Sequence, residues 1–264
     1  MPAEIHFDDP AAYERMMGTW SRSVGEVFLD WLAPPREARW VDVGCGTGAF
    51  ARLVLERCAP AAVAGFDPSE QQVAHARLLS AASPQASFRV GDAMAAPYPD
   101  ASFDIAAMAL VIFFVPDAQR GVAEMVRMVR PGGIVCAYAW DMPGAGLPHA
   151  SLGRILREIG HAAPLPPSWQ VSSAEGLRAL WEQAGLQDVQ QREITVQRRF
   201  DDFEQMWEIT TGAASVAPIV RALDADTRAD VKRRWQAQFQ AADDGAVVGS
   251  ARANAVCGRV PERG

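Results

Sequence analysis

The chain is organised around the segment Val41-Asp42-Val43-Gly44-Cys45-Gly46-Thr47-Gly48-Ala49-Phe50. Residues 40–43 are aromatic or β-branched apart from one acid, a composition typical of a short buried strand. Three glycines at alternate positions follow, and glycine lets a turn adopt positive φ and approach a ligand closely because it has no Cβ. Residues 49–57 favour a helix, whose first free N–H groups point over the turn. The segment therefore predicts a strand, a tight turn and a helix that together bind a nucleotide-like ligand.

Two classes of ligand fit this turn. Gly44, Gly46 and Ala49 match the G-x-G-x-x-G/A fingerprint of proteins that bind NAD or FAD. The segment also resembles motif I of the class I methyltransferases that use S-adenosyl-L-methionine (SAM), in which an acid stands two residues before the first glycine. Asp42 is that acid here, and its carboxylate would repel a pyrophosphate but attract the ammonium and sulfonium groups of SAM. A glycine-rich turn without a ligand is a third interpretation, although such clusters usually serve close approach.

Three further segments carry the same resemblance. Residues 97–104 resemble the methyltransferase segment P-[FY]-x-D-x-S-F-D, and residues 130–133 resemble the [RK]-P-G-G turn that precedes the fifth strand of that class. Residues 13–21 resemble, more loosely, a Tyr-x-x-x-Met-x-x-Trp-Ser stretch that folds over the cofactor in small-molecule members. The [RK]-P-G-G turn is not expected of dehydrogenases, so it disfavours a nicotinamide-dependent oxidoreductase. That class of enzyme is kept as the remote alternative.

The resemblance implies a doubly wound α/β fold with a seven-stranded, mostly parallel sheet, an antiparallel last strand and helical lid insertions. The residue pattern predicts strands over 40–43, 61–66, 87–90, 103–111, 134–140, 189–200 and 246–256. We expect four regions. These are a helical cap over the cofactor (1–36), a SAM-binding core (37–200) with an insertion at 142–170, a helical lid (201–243) and a final core strand (244–258).

Several side chains are candidates for holding the cofactor. Asp67 ends the second predicted strand, where a carboxylate accepts the hydroxyls of a ribose, and Gln72 lies one turn into the next helix. The resemblance implies that Asp92 contacts the adenine amino group and that the N–H of Ala93 meets a ring nitrogen. The full set of expected cofactor-binding residues is Tyr13, Trp20, Asp42, Gly44, Cys45, Gly46, Gly48, Asp67, Pro68, Gln72, Asp92, Ala93, Met94, Ala109 and Phe114.

The implied reaction is in-line displacement that moves a methyl group from SAM to a small, partly apolar acceptor and leaves S-adenosyl-L-homocysteine (SAH). Such a reaction depends mainly on positioning and desolvation, and it needs a base only when the acceptor carries a proton of high pKa. Asp141, at the end of the fifth predicted strand, and His149, in the insertion beyond it, are the candidate bases. A SAM-binding protein without transferase activity is the alternative within the same ligand class.

Composition limits the partners and the compartment. The formal net charge of −7 disfavours nucleic acid, whose phosphates require a basic surface. The four cysteines form no C-x-x-C pair, which favours reduced thiols in a cytoplasmic protein, and no metal-ligand spacing is present. No apolar run approaches the ~18 residues of a membrane-spanning helix. We expect a monomer or homodimer with a small-molecule acceptor, without nucleic acid, membrane or metal.

Overall fold

The computed structural model describes residues 17–212 and 216–262 of the chain. Within them, seven strands form one sheet in the order β3-β2-β1-β4-β5-β7-β6. The strands are β1 (Arg39–Val43), β2 (Ala62–Asp67), β3 (Ala86–Val90), β4 (Phe103–Ala109), β5 (Val129–Trp140), β6 (Gln187–Phe200) and β7 (Val247–Arg259). Strands β1 to β5 pair in parallel, and β7 runs antiparallel to both β5 and β6. The predicted doubly wound, mostly parallel sheet is confirmed.

Helices connect most of the strands and pack against the sheet. They are α1 (Thr19–Leu32), α2 (Ala49–Cys58), α3 (Glu70–Leu79), α4 (Ala118–Met128), α5 (Ala150–Glu158), α6 (Ala174–Gln183), α7 (Phe203–Thr211), α8 (Ala217–Ala222) and α9 (Ala225–Gln236). The last three fall in the region predicted as a lid, where α7 contacts β6 and α9 contacts α5. Short 3₁₀ turns lie at Ile112–Phe114 and Trp169–Ser172.

The position of β1 creates the crevice of the sheet. The chain leaves β1 toward β2 and β3 on one side and returns to β4 on the other side, so the winding reverses between β1 and β4. In open α/β sheets, ligands bind at this reversal, beyond the carboxyl ends of the strands. All four residues of β1 after Arg39 are buried, as expected for a central parallel strand that is covered on both faces. The glycine-rich turn therefore follows a buried central strand and lies directly at the crevice.

An aromatic cluster fixes α1 and α2 beside this crevice. The ring of Tyr138, on β5, lies with its centroid 4.8 Å from Phe28 of α1 and 5.7 Å from Phe50 of α2. Aromatic pairs at these separations add to the free energy gained by burying their rings. The helix that precedes the core and the helix that follows the glycine turn are thus packed against one strand.

Two strand boundaries near the crevice differ from the prediction. The strand β4 ends at Ala109 and not at residue 111, because Leu110 has φ +62° and leaves the extended conformation. The strand β5 begins at Val129, so residues 130–133, predicted as a turn, belong to it. Gly132 has φ +73°, and the pairing of β4 with β5 shifts its register at this level. The segment is an irregular strand and not a separate turn.

The final strand is longer than predicted. β7 runs through Arg259, beyond the expected limits of 256 for the strand and 258 for its region. Its last residues pair with β5 on one side and with β6 on the other. Strand partners on both sides keep the residues from 257 to 259 extended, although their sequence is not apolar.

Candidate active site

The cavity at the carboxyl ends of β1, β2 and β4 has a volume of about 1370 Å³. The glycine turn after β1, the end of β2 and the segment after β4 all line it. Ligand pockets commonly measure about 300–1,000 Å³, so this cavity is larger than a typical pocket. It lies where the topology of the sheet places a ligand.

The glycine turn has the backbone that its sequence requires. Gly44, Gly46 and Gly48 have φ values of +74°, +51° and +75°. A Cβ on Gly44 would lie 2.5 Å from Cγ1 of Val111, whereas a Cβ on Gly46 would meet no atom within 4 Å. Gly44 is therefore required by packing between β1 and β4, and the open space beside Gly46 belongs to the cavity.

Asp67 is held in place at the end of β2. Its Oδ2 accepts a hydrogen bond from the N–H of Gly46 at 3.0 Å, and its Oδ1 accepts one from the N–H of Ser69 at 2.9 Å. Asp67 also lines the cavity. Carboxylate oxygens have more than one acceptor site each, so this fixed carboxylate can still accept hydrogen bonds from a ligand diol.

Asp42 is a buried carboxylate that faces the same cavity. Its relative exposure is 3%, and neither of its oxygens has a hydrogen-bond partner among the described residues. Burial raises its pKa to about 7; the backbone N–H of Ala51 opposes this rise, and the negative charge of Asp67 adds to it. A buried, unpaired carboxylate is costly, and a nearby cation relieves this cost. The site therefore suits a ligand with positive charge at this position and disfavours a pyrophosphate.

The cavity also presents polar groups that suit a nucleobase. Oδ1 of Asp92 accepts the N–H of Met94 at 2.8 Å, which orients the carboxylate, and the neighbouring Ala93 also lines the cavity. Gln72 lines it from α3, and its Oε1 is buried without a hydrogen-bond partner in the described part of the chain. A ligand with an exocyclic amino group satisfies such acceptors.

Comparison with known proteins identifies the family. A family model described as a methyltransferase domain matches residues 41–137. A ubiquinone/menaquinone biosynthesis C-methyltransferase UbiE of Geobacter sulfurreducens is 30% identical over 173 residues, which cover 60% of this chain and 68% of that protein. This chain belongs to the class I SAM-dependent methyltransferases.

A second curated relative and a solved structure are also similar to this chain. The enzyme of the same name from Dinoroseobacter shibae is 34% identical over 142 residues, or 51% of this chain and 56% of that protein. The chain spans about half the length of the first curated relatives it matches. The crystal structure of the YcgJ protein from Bacillus subtilis superimposes with a TM-score of 0.60 at 17% identity, over 92% of this chain and 99% of the other. That likeness shows the fold.

The structure brings most of the expected cofactor residues to one cavity. Those that line it are Asp42, Gly44, Cys45, Gly46, Asp67, Pro68, Gln72, Asp92, Ala93, Ala109 and Phe114. Tyr13 lies outside the described residues. Gly48 and Met94 are adjacent to lining residues but do not line the cavity themselves. Gly48 instead allows close packing, since a Cβ there would lie 3.2 Å from Ala76 and from Phe88.

Trp20, expected at the cofactor, lies in the hydrophobic core. Its exposure is 3%, and its ring packs against Phe200 on β6 at a centroid distance of 6.5 Å. The side of α1 that faces the cavity instead carries Thr19, Ser21 and Arg22. The rotation of the helix therefore turns the indole away from the ligand space.

The two candidate bases are not brought to this cavity. Oδ2 of Asp141 accepts hydrogen bonds from Nη2 and Nε of Arg252 at 2.6 and 3.1 Å, and its Oδ1 accepts the N–H of Gly144 at 3.0 Å. His149 precedes α5, and burial lowers its pKa to about 4, which keeps it neutral. Neither residue lines the cavity. Their catalytic roles stay predictions from the sequence.

The cavity includes residues that the sequence analysis missed. The alternation of side chains along β5 was the available signal for Tyr138, and residues 165–167 gave no signal beyond their prolines. These and the other unexpected lining residues include Arg22, Glu26, Arg52, Glu56, Leu110, Val111, Val115, Pro116, Tyr138, Leu165, Pro166 and Pro167.

Two kinds of feature are absent from the part of the chain that the structure describes. In that part of the chain, no helix combines the length and the apolar character needed to cross a membrane. The same residues contain no group of three or more His, Cys, Asp or Glu side chains that could hold a metal ion.

Proposed function

We propose that this protein binds SAM in the cavity and transfers its methyl group to a small, partly apolar acceptor, with SAH as the product. The observation that carries the proposal is the Asp42 carboxylate, which is buried at the glycine turn without a hydrogen-bond partner among the described residues. A ligand cation compensates such a charge, and a dinucleotide pyrophosphate opposes it. Membership of the methyltransferase family supports the same ligand.

Each part of the ligand has a suitable partner in the chain. Asp67 would accept the ribose hydroxyls, and Asp92 with Ala93 would bind the adenine edge. Asp42 would lie toward the positive groups of the methionine part. When bound, SAM supplies a methyl group on a sulfonium, so the protein needs mainly to orient the two substrates and exclude water.

The acceptor would occupy the part of the cavity beyond the end of β4. Val111, Phe114, Val115 and Pro116 line that part, and none of them is ionisable. This wall supports an acceptor with an apolar body. Relatives named for the C-methylation steps of ubiquinone and menaquinone biosynthesis support the same class of small molecule.

The remaining expectations are part of the proposal. The formal net charge of −7 supports the proposal that this protein does not bind nucleic acid. All four cysteines are free, which supports a location in the reducing cytoplasm. We also propose that the protein is a monomer or homodimer. We also propose that residues 1–36 cap the cofactor and that residues 201–243 form a lid, although no described residue of 201–243 lines the cavity.

A transfer experiment tests this function. The protein is incubated with methyl-labelled SAM and with 1-naphthol or 1,4-naphthohydroquinone, and label in the organic extract is counted. We expect label in the extract with the wild type and none with a Gly46→Val variant, whose side chain would fill the cofactor space. Tight SAH binding without any transfer would favour the alternative of a SAM-binding protein that lacks transferase activity.

A further inference from the structure

One wall of the cavity comes from a distant segment. Leu165, Pro166 and Pro167, between α5 and the 3₁₀ turn Trp169–Ser172, line the cavity together with the segment after β4. Leu165 is 56% exposed. Among the exposed large apolar side chains of the described residues, it alone lines this cavity. An exposed apolar side chain at a pocket suits contact with a ligand.

Ser168 joins this segment to the end of β4. Its Oγ–H donates to the carbonyl oxygen of Val115 at 2.7 Å, and its N–H donates to the carbonyl oxygen of Phe113 at 3.1 Å. The two prolines further restrict the backbone because their rings fix φ. The segment is therefore held against the β4 side before a ligand binds, and a preorganised wall costs less entropy on binding.

We define the apolar wall as Val111, Phe114, Val115, Pro116, Leu165, Pro166 and Pro167. None of these side chains is ionisable or donates a hydrogen bond. The cavity carboxylates Asp42, Asp67 and Asp92 lie at the glycine turn and at the ends of β2 and β3, and they repel an anion.

The arginines of the cavity come from α1 and α2 and not from this wall. Arg22 pairs with Glu26 and Glu56, each at 3.0 Å, and all three residues line the cavity. Nη1 of Arg52 donates to the carbonyl oxygen of Thr47 at 2.7 Å. An anionic group against the apolar wall would thus lose its hydration without gaining a cationic partner from that wall.

We propose that the clamped segment Leu165–Pro167 selects the acceptor, admitting an uncharged apolar ring and rejecting an anion of the same shape. Leu165 contacts the acceptor, and Ser168 is a positioning residue that holds Leu165 in place. This inference rests on the proposed function, because it takes the occupant of the wall to be the methyl acceptor.

The test measures the binding of two matched probes, 1-naphthol and 1-naphthoate, to the SAH-saturated protein by calorimetry near pH 7. The probes share one ring system and differ in charge. We expect 1-naphthol to bind at least about tenfold more tightly than 1-naphthoate. Leu165→Glu is expected to weaken 1-naphthol binding by at least about tenfold, with SAH affinity unchanged.

A matched control is available on α3. Leu78 is 71% exposed and lies outside the cavity lining, so Leu78→Glu adds the same charge at a comparable surface position and should leave both probes unaffected. Ser168→Ala should weaken 1-naphthol binding severalfold, and Ser168→Thr, which keeps the hydroxyl, should restore it. Circular dichroism and thermal midpoints verify that each variant is folded.

The outcomes separate this inference from the proposed function. Equal binding of the two probes, or a Leu165→Glu variant that behaves like Leu78→Glu, would overturn the role of the wall. Failure of the wild type to bind SAH would overturn the proposed function instead. In that case the same probe comparison in SAH-free protein still decides whether the wall selects uncharged rings.

Discussion

The N–H of Gly46 donates to Oδ2 of Asp67 at 3.0 Å, and this bond joins the glycine turn to the end of β2. The two residues come from different motifs of the sequence, yet they form one rigid unit. Ser69 fixes the second carboxylate oxygen of Asp67. The geometry of the turn and the position of the proposed ribose acceptor are therefore set together.

Removal of the Asp67 carboxylate should weaken cofactor binding. Asp67→Ala is expected to reduce SAH affinity by ~1–3 kcal/mol, because charge-assisted hydrogen bonds to the ribose are lost and the turn loses its anchor. Calorimetric titration measures the effect. Asp30→Ala is the control, since that exposed acid pairs with Arg57 away from the cavity. Unchanged affinity in Asp67→Ala would contradict the ribose assignment.

The charge of Asp42 should make cofactor binding depend on pH. The pKa of Asp42 is raised to about 7 in the cofactor-free protein, and only the ionised form attracts the cationic part of SAM. SAM affinity should therefore rise as pH increases through 7 and fall below it. Titrations of wild type and Asp42→Asn from pH 6 to 8 test this, and the variant should show weaker and flatter binding. Parallel pH profiles for the two proteins would exclude Asp42 as the group responsible.

The same carboxylate should affect the stability of the cofactor-free protein. Its folded pKa lies above the ordinary value, so the native state holds a proton that the unfolded state has already released between about pH 4 and 7. The free energy of unfolding should consequently decrease as pH rises through that window. Denaturant titrations should show a smaller decrease in Asp42→Asn. A steeper decrease in the variant would argue against this linkage.

Gly46 should be required for binding more than for folding. A Cβ there meets no atom within 4 Å, so Gly46→Val is expected to keep an α/β circular dichroism spectrum and to lose SAH binding. Gly160→Val is a matched control, because Gly160 also has positive φ, at +89°, and open space around it, outside the cavity. If Gly46→Val still binds SAH as the control does, the turn does not face the ligand.

Asp141 should contribute to stability and not to cofactor affinity. Asp141→Asn is expected to lower the free energy of unfolding by ~1–3 kcal/mol, because Arg252 loses the nearer of its two charged partners and keeps only Glu193, at 3.6 Å. SAH affinity should stay within about twofold, since an interaction outside the cavity contributes little to binding. An Asp141→Asn variant of normal stability and SAH affinity that no longer transfers methyl groups would instead support the catalytic role predicted from sequence.

Short sequence motifs predicted those residues of the candidate site that lie at or just after the end of a strand. The glycines of the turn and the Asp92-Ala93 pair each follow a strand, and Asp67 ends one, so their placement at one sheet edge follows from parallel topology. The periodicity of the strands indicated the sheet itself.

The remaining features depend on contacts between distant segments. Asp141 ends a strand at the correct edge, but it pairs with Arg252, which lies 111 residues later and was not predicted as its partner. Trp20 belongs to an amphipathic aromatic stretch, and only the packing of α1 on β6 shows that its ring faces the core. The clamp from Ser168 to Val115 spans 53 residues and has no sequence motif.

The proposed function requires that the cavity bind SAM and not a dinucleotide. Calorimetric titration of the wild-type protein with SAH, with NAD⁺ as the control ligand, distinguishes the two. We expect one SAH bound per chain with micromolar or tighter affinity and no detectable NAD⁺ binding. Binding of NAD⁺ without SAH would contradict the assignment at Asp42, from which the rest of the proposed function follows.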